Sequence, residues 1–162
     1  TAQDRKSSAC DELVGAGVGR GERGRAVREI ARRAAKEAEE AVETLIERLG
    51  QVLDAHQVGY AVSYEAAAQR YAPFLSGISQ VRTRLLASAG ADTAMAELDA
   101  RIVNEGANLV VIETKSAGEL LFRQQVGGVW LASPIQVYLD LLRGEGRAKE
   151  MAQHLRRERI RF

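Results

Sequence analysis

The sequence is poor in the residues that build metal centres and disulfide frameworks. Its 162 residues include one cysteine and two histidines, which excludes a disulfide within the chain and a cysteine-built zinc site. Lys and Arg number 23 against 22 Asp and Glu, so the chain lacks the strong overall basic charge of many nucleic-acid-binding domains. No apolar run approaches the roughly 20 residues of a membrane span. We therefore expect a cytoplasmic protein with no membrane partner, no metal and no cofactor.

The first 24 residues are polar and glycine-dense, which favours a flexible arm over residues 1–24. Residues 19–24 spell G-x-G-x-x-G, a pattern that can bind dinucleotides. That function also requires a buried strand before the glycines and a βαβ unit around them. The preceding apolar pair, Leu13 and Val14, is too short for such a strand, so an arm is the favoured interpretation.

Apolar residues recur at helical spacing from Val27 to Leu53 and predict a long amphipathic helix over residues 25–57. Residues 25–36 hold five basic residues and one acidic residue, whereas residues 37–47 hold five acidic residues and no basic one. The helix macrodipole prefers the opposite order. A second, antiparallel copy of this helix would match the two charged halves, so a homodimer is one hypothesis. A solvated helix with screened charges is the other.

From residue 58 onward the patterns predict an α+β domain over 58–162, with a small mixed sheet and packed helices. Strands are expected at Tyr60–Val62, Ile78–Leu86 and Asn108–Thr114, the last as the central strand, and a hairpin turning at Gly127. Helices are expected from Tyr64 after a Ser63 cap, from an Asp92 or Thr93 cap, from Pro134 after a Ser133 cap, and over Arg147–Arg157.

Three stretches of this domain resemble the C-terminal effector domain of the AbiEi family. They are Tyr60–Pro73, Glu105–Val111, and Trp130–Leu142 followed by Gly146–Arg156. The core of the third stretch, Ser-Pro-x-Gln-x-Tyr-x-Asp-Leu followed by Gly-Arg, is the most specific. Its members are Ser133, Pro134, Gln136, Tyr138, Asp140, Gly146 and Arg147.

The resemblance implies an antitoxin or transcriptional regulator of an abortive-infection, type IV toxin–antitoxin system. Family members typically join a DNA-binding winged helix to this domain and repress their own operon. Residues 1–59 lack the pattern of a winged helix. The partners that the resemblance implies are operator DNA or the cognate toxin operon. The residues themselves favour a structural joint, in which Asp140 bonds a backbone amide or pairs with Arg147.

An enzymatic alternative comes from the end of the strongest strand. Glu113-Thr114-Lys115 matches the second half of the PD-(D/E)xK nuclease pattern, in which a carboxylate holds Mg²⁺ and a lysine lies near the scissile phosphate. A hard cation needs a second carboxylate, and the candidates are Asp99 and Glu105. A structural dimerisation or interaction domain is the third hypothesis.

Two basic clusters are candidates for phosphate contacts. One lies in the long helix and contains Arg28, Arg32 and Arg33. The other lies in the C-terminal segment and contains Arg147, Arg156, Arg157 and Arg159. Solvated helix faces are the alternative interpretation of both clusters.

Overall fold

The computed structural model describes residues 41–74, 77–114 and 116–162. They adopt the predicted α+β fold and belong to one compact unit, Lys36–Phe162. The helices are α1 (41–55), α2 (Tyr64–Tyr71), α3 (Ala89–Glu97), α4 (Pro134–Leu142) and α5 (Arg147–Leu155). The strands are β1 (Tyr60–Ser63), β2 (Val81–Leu86), β3 (Leu109–Thr114), β4 (Gln124–Val126) and β5 (Val129–Leu131). None of the described helices is long and apolar enough to cross a membrane.

The strands form one mixed sheet in the order β3-β2-β1-β5-β4. β1 pairs antiparallel with β2, and β4 pairs antiparallel with β5. The β1–β5 and β2–β3 pairs are parallel. Gly127 and Gly128 form the β4–β5 turn at φ of +57° and +79°, a backbone that glycine adopts at little cost. The predicted hairpin turn is therefore confirmed.

The apolar core is one cluster of buried side chains from the sheet and from α1, α2, α4 and α5. Tyr60 is paired with Leu85, and Val62 with Thr83, so these side chains share one face of the sheet, where all four are buried. A Cβ added to Gly50 of α1 would lie 2.9 Å from the Tyr60 hydroxyl. The helix backbone therefore packs directly on this face, and glycine provides the space for the phenol ring.

The described half of the predicted long helix is part of this core. Its apolar stripe over residues 41–55 is buried at Val42, Ile46, Leu49, Val52 and Leu53. These side chains pack within the domain and are not available for the predicted homodimer. The rest of the helix, the glycine-rich arm, and Arg28, Arg32 and Arg33 lie outside the described residues.

Three local predictions are wrong in detail. α3 begins at Ala89, because the Ser88 hydroxyl accepts from the Ala91 amide and caps the helix four residues before the predicted cap Asp92. A hairpin strand is predicted over Glu119–Gln124, but Glu119 and Leu120 belong to a 3₁₀ turn, Ala117–Leu120, capped by Ser116, and the strand covers only Gln124–Val126. The last helix ends as a π turn, Arg156–Ile160, instead of continuing as an α-helix.

The strand Leu109–Thr114 is confirmed, but it lies at the edge of the sheet and not at its centre. It forms a continuous ladder with β2 from Val81↔Leu109 to Leu86↔Thr114. Its apolar side chains Leu109, Val110 and Ile112 are only partly buried and Val111 is exposed, whereas Thr114 at its end is buried. A run of branched apolar residues therefore identified a strand correctly without fixing its position in the sheet.

Candidate functional site

A buried carboxylate, Asp140 of α4, is the centre of the most specific motif. Its side chain has no solvent exposure. Asp140 Oδ2 accepts from the Ser63 hydroxyl at 2.5 Å, and Oδ1 accepts from the Gln136 amide at 2.8 Å. Arg84 Nη2 donates to both oxygens, at 2.9 and 3.1 Å. These four contacts occupy about the full acceptor capacity of a carboxylate.

Arg84 compensates the buried negative charge and connects three elements. Its side chain is 13% exposed. While Nη2 faces Asp140, Nη1 donates to Glu119 at 3.0 Å, and the Glu119 side chain is 47% exposed. Arg84 belongs to β2, Asp140 to α4 and Glu119 to the 3₁₀ turn. The guanidinium therefore joins sheet, helix and turn at one point.

The position at which α4 begins places the Gln136 and Asp140 side chains on the same side of the helix. The Ser133 hydroxyl accepts from the Gln136 amide N–H at 3.2 Å, and Pro134 occupies the first helical position, as the sequence predicts. Gln136 lies four residues before Asp140, so the two side chains share one side of the helix. Tyr138 points elsewhere and meets the Phe162 ring edge-to-face, with ring centroids 5.9 Å apart.

Sequence reasoning missed Ser63, Arg84 and Glu119 as members of this cluster. Ser63 was expected to cap α2, but its hydroxyl forms no cap bond and donates to Asp140. A signal for Arg84 was present, because an arginine on a half-buried strand needs a carboxylate partner. Its partner lies 56 positions away in the chain, and only the tertiary fold reveals it.

The predicted pair between Asp140 and Arg147 is wrong, since Arg84 is the ion partner of Asp140. Arg147 is the exposed first residue of α5. Gly146 before it has φ of +57° and ψ of −123°, which disfavours any residue with a Cβ. Gly146 therefore allows the sharp change of chain direction between α4 and α5. Arg147 lines an open cleft of about 330 Å³ together with Glu65, Arg82 and Glu145.

The C-terminal basic residues do not gather on one surface. Arg147 begins α5 and Arg156 follows its end, so about 14 Å of helix separates them. The Arg156 guanidinium lies 5.7 Å from the Phe162 ring centroid. Arg159 donates to Gln124 at 3.3 Å. Arg157 is exposed. Two of these arginines are thus engaged within the protein, which weakens a shared phosphate-binding role.

The nuclease residues are dispersed or lie outside the described chain. Glu113 is exposed on the edge strand. Asp99 is 78% exposed and pairs with Arg101 at 3.3 Å. Lys115 is not among the described residues. Within the described ranges, no three His, Cys, Asp or Glu side chains converge to hold a metal ion, so the nuclease hypothesis gains no support from this geometry.

We expect wild-type protein and the Glu113→Ala variant to leave supercoiled plasmid DNA equally intact in Mg²⁺. The reason is that, among the described residues, Glu113 belongs to no group of three side chains that could hold a metal ion, and a Mg²⁺ site for phosphoryl transfer needs converging carboxylates. Agarose gels over a protein titration measure the loss of supercoiled DNA. Cleavage by the wild type that disappears in Glu113→Ala would contradict this expectation.

Two tyrosines, the buried Tyr60 and the partly buried Tyr71, connect β5 and the residue after it to the rest of the domain. The Tyr60 hydroxyl accepts from the Trp130 amide at 3.3 Å, and the Tyr71 hydroxyl donates to the Ala132 carbonyl at 2.8 Å. Burial raises the pKa of both hydroxyls. For Tyr71 it reaches about 12, against a smaller opposing effect of the Arg159 guanidinium.

The raised pKa of Tyr71 predicts a loss of stability in alkali. Between its ordinary pKa of 10.0 and its folded value of about 12, the folded state holds a proton that the unfolded state has released. The free energy of unfolding therefore falls as the pH rises through this window. Tyr71→Phe should show a shallower fall over pH 10–12, although it is less stable at pH 8 by about 1 kcal/mol for the lost hydrogen bond. Urea unfolding at fixed pH measures both slopes, and identical slopes would contradict the prediction.

Comparison with protein-family models, with curated proteins and with solved structures finds no match to this chain. The resemblance to antitoxin regulators therefore depends on the three sequence stretches alone.

Proposed function

We propose that this chain is a non-enzymatic, antitoxin-like regulatory domain of a type IV toxin–antitoxin system, acting in the cytoplasm by binding another macromolecule. The observation that carries the proposal is the closed cluster around Asp140. The acceptor sites of this carboxylate are occupied by Ser63, Arg84 and Gln136. Gln136 and Asp140 of the most specific motif therefore serve as a structural joint, which leaves the surface of the domain for function.

Two of the three stretches that resemble the antitoxin family also meet in space, whereas Glu105–Val111 leads into the edge strand β3 and pairs with β2. Tyr60–Pro73 supplies β1 and α2, and Trp130–Leu142 supplies β5 and α4. β1 pairs with β5 through Val62 and Leu131, and Ser63 bonds Asp140. Motifs distant in sequence thus form one structural unit, which supports reading them together as a domain signature.

A growth assay tests the antitoxin role. The gene that adjoins this one in its genome is induced in a bacterial host, with and without co-expression of this chain. The proposal predicts growth arrest that this chain relieves. The antitoxin role would be rejected if the product of the adjoining gene caused no growth arrest, or if arrest continued although this chain was expressed and folded. A structural interaction domain would then be the better description.

A second measurement addresses transcriptional regulation. Gel-shift titration of the chain with its own promoter DNA, against a shuffled sequence of equal length, measures operator binding. Sequence-selective binding that falls with rising salt would support a direct regulatory contact. Equal affinity for both DNAs would mean that the chain does not recognise the operator sequence. The proposed function would then be restricted to binding another protein.

A further inference from the structure

The outer face of α4 is apolar, although α4 already buries its opposite side in the core. Val137 and Leu141 are fully buried, whereas Ile135, Leu139 and Leu142 are 58%, 47% and 36% exposed. A surface helix normally directs polar residues to solvent. These three residues, which we call the outer stripe, thus form an aliphatic surface with no covering element among the described residues.

The outer stripe extends onto the C-terminus. Tyr138 lies beside it on the helix, since it is three residues after Ile135 and four before Leu142. The Phe162 ring packs edge-to-face against Tyr138 and is itself 70% exposed. An aromatic side chain therefore widens the apolar surface at one border.

The spacing of the outer stripe indicates what shape of partner fits. Steps of four and then three residues, from Ile135 to Leu139 to Leu142, are those of a heptad seam. Such a seam packs against the apolar stripe of another helix, and each of its side chains inserts between four residues of that facing helix. A helix is therefore the complementary element.

The charge at the border indicates the chemistry of that helix. Arg143 is exposed four residues after Leu139, and the Arg156 guanidinium lies over Phe162 at 5.7 Å. Positive side chains beside an apolar seam select a partner with negative charges at its flanks. A second copy of this chain would instead bring the same arginines to the contact.

We propose that the outer stripe binds an amphipathic helix of another protein, with aliphatic residues at its seam and acidic residues at its flanks. This inference deepens the proposed function and rests on its claim that the domain acts by binding. Arginines at the border act mainly on association rate and specificity, while the aliphatic side chains provide the buried contact.

The test uses the full chain and two synthetic 21-residue peptides with leucine at heptad positions a and d. One peptide has glutamate at positions e and g, and the other has lysine there. Fluorescence anisotropy at 50 and 500 mM NaCl measures binding. We expect the acidic peptide to bind at least tenfold more tightly than the basic one at low salt, and to lose that advantage at high salt.

Variants locate the binding surface. Leu139→Glu and Ile135→Glu should each weaken binding of the acidic peptide at least tenfold. Arg143→Glu should reduce the preference for the acidic peptide. Ile102→Glu is the matched control, because Ile102 is a fully exposed aliphatic residue outside the surface, and it should bind like the wild type. Circular dichroism verifies that each variant is folded.

Four outcomes would overturn the inference. The first two are equal affinity of the wild type for both peptides and unchanged peptide binding by Leu139→Glu and Ile135→Glu. The third is a dimer in light scattering that Leu139→Glu converts to monomer. The fourth is that the wild type binds phosphatidylserine vesicles and these variants lose vesicle binding while peptide binding is unchanged. Peptide binding without relief of growth arrest would reject only the antitoxin role. Relief of arrest that Leu139→Glu and Ile135→Glu leave intact would reject only this surface.

Discussion

Replacing Asp140 with alanine should lower the free energy of unfolding by about 3–5 kcal/mol, the usual cost of breaking a buried ion pair. The loss is large because Arg84, with a side chain only 13% exposed, would keep its charge without its buried partner. Ser63 and Gln136 would lose their acceptor as well. Urea unfolding followed by circular dichroism at 222 nm measures the change.

Glu119→Gln is the matched control for this prediction. It removes the other carboxylate bound to Arg84, but Glu119 is 47% exposed, and exposed pairs contribute at most about 1 kcal/mol. The ratio of the two effects distinguishes a buried joint from a surface ion pair. If Asp140→Ala costs no more than Glu119→Gln, the Asp140 cluster does not hold the domain together.

Leu141→Ala should cost about 3 kcal/mol, whereas Leu142→Ala on the same helix should cost less than about 1 kcal/mol. Leu141 is fully buried and Leu142 is 36% exposed. Leucine and alanine have similar helix propensities, so the comparison isolates burial. The difference arises because the first change removes a core side chain and leaves a cavity.

The same unfolding measurement checks this second prediction, and the variants also report on the outer stripe. Leu142→Ala should weaken binding of the acidic peptide while it leaves stability nearly unchanged. Leu141→Ala should do the reverse under conditions where the protein remains folded. Equal losses of stability in the two variants would mean that α4 is not oriented as described.

The features that sequence analysis predicted correctly are those with local causes. A Ser-Pro pair starts α4 because the Ser133 hydroxyl accepts from a free backbone N–H of the first turn. Pro134 suits the first helical position because it has no N–H that would need a partner. Paired glycines turn the hairpin because both residues have positive φ. The branched residues of Leu109–Ile112 form a strand because they suit a pleated backbone.

The features that it missed depend on contacts between distant segments. The order of strands in the sheet decides that β3 is an edge, and nothing in Leu109–Thr114 itself specifies its neighbours. Sequence proximity favours Arg147 as the charge partner of Asp140, and no sequence pattern identifies a more distant one. The fold instead brings Arg84 from β2 to α4.

The outer stripe illustrates a third kind of limit. Helical periodicity marks Val137 and Leu141 as a core face, and the same pattern extends to Ile135, Leu139 and Leu142 on the other side of the helix. A helix that is apolar on both sides can be fully buried or can bind a partner. The burial of each side chain distinguishes these cases, and sequence alone does not.

The charged pair of Arg84 and Asp140 is a structural element of the scaffold, and a double replacement tests this role. In an Arg84→Met and Asp140→Leu double variant, both charges are removed together, a change that buried ion pairs often tolerate without loss of stability. We predict that this variant, verified as folded by circular dichroism, relieves growth arrest caused by the adjoining gene as well as the wild type does. A folded double variant that gives no relief, beside a wild type that does, would show that Arg84 and Asp140 act in function and would contradict the account.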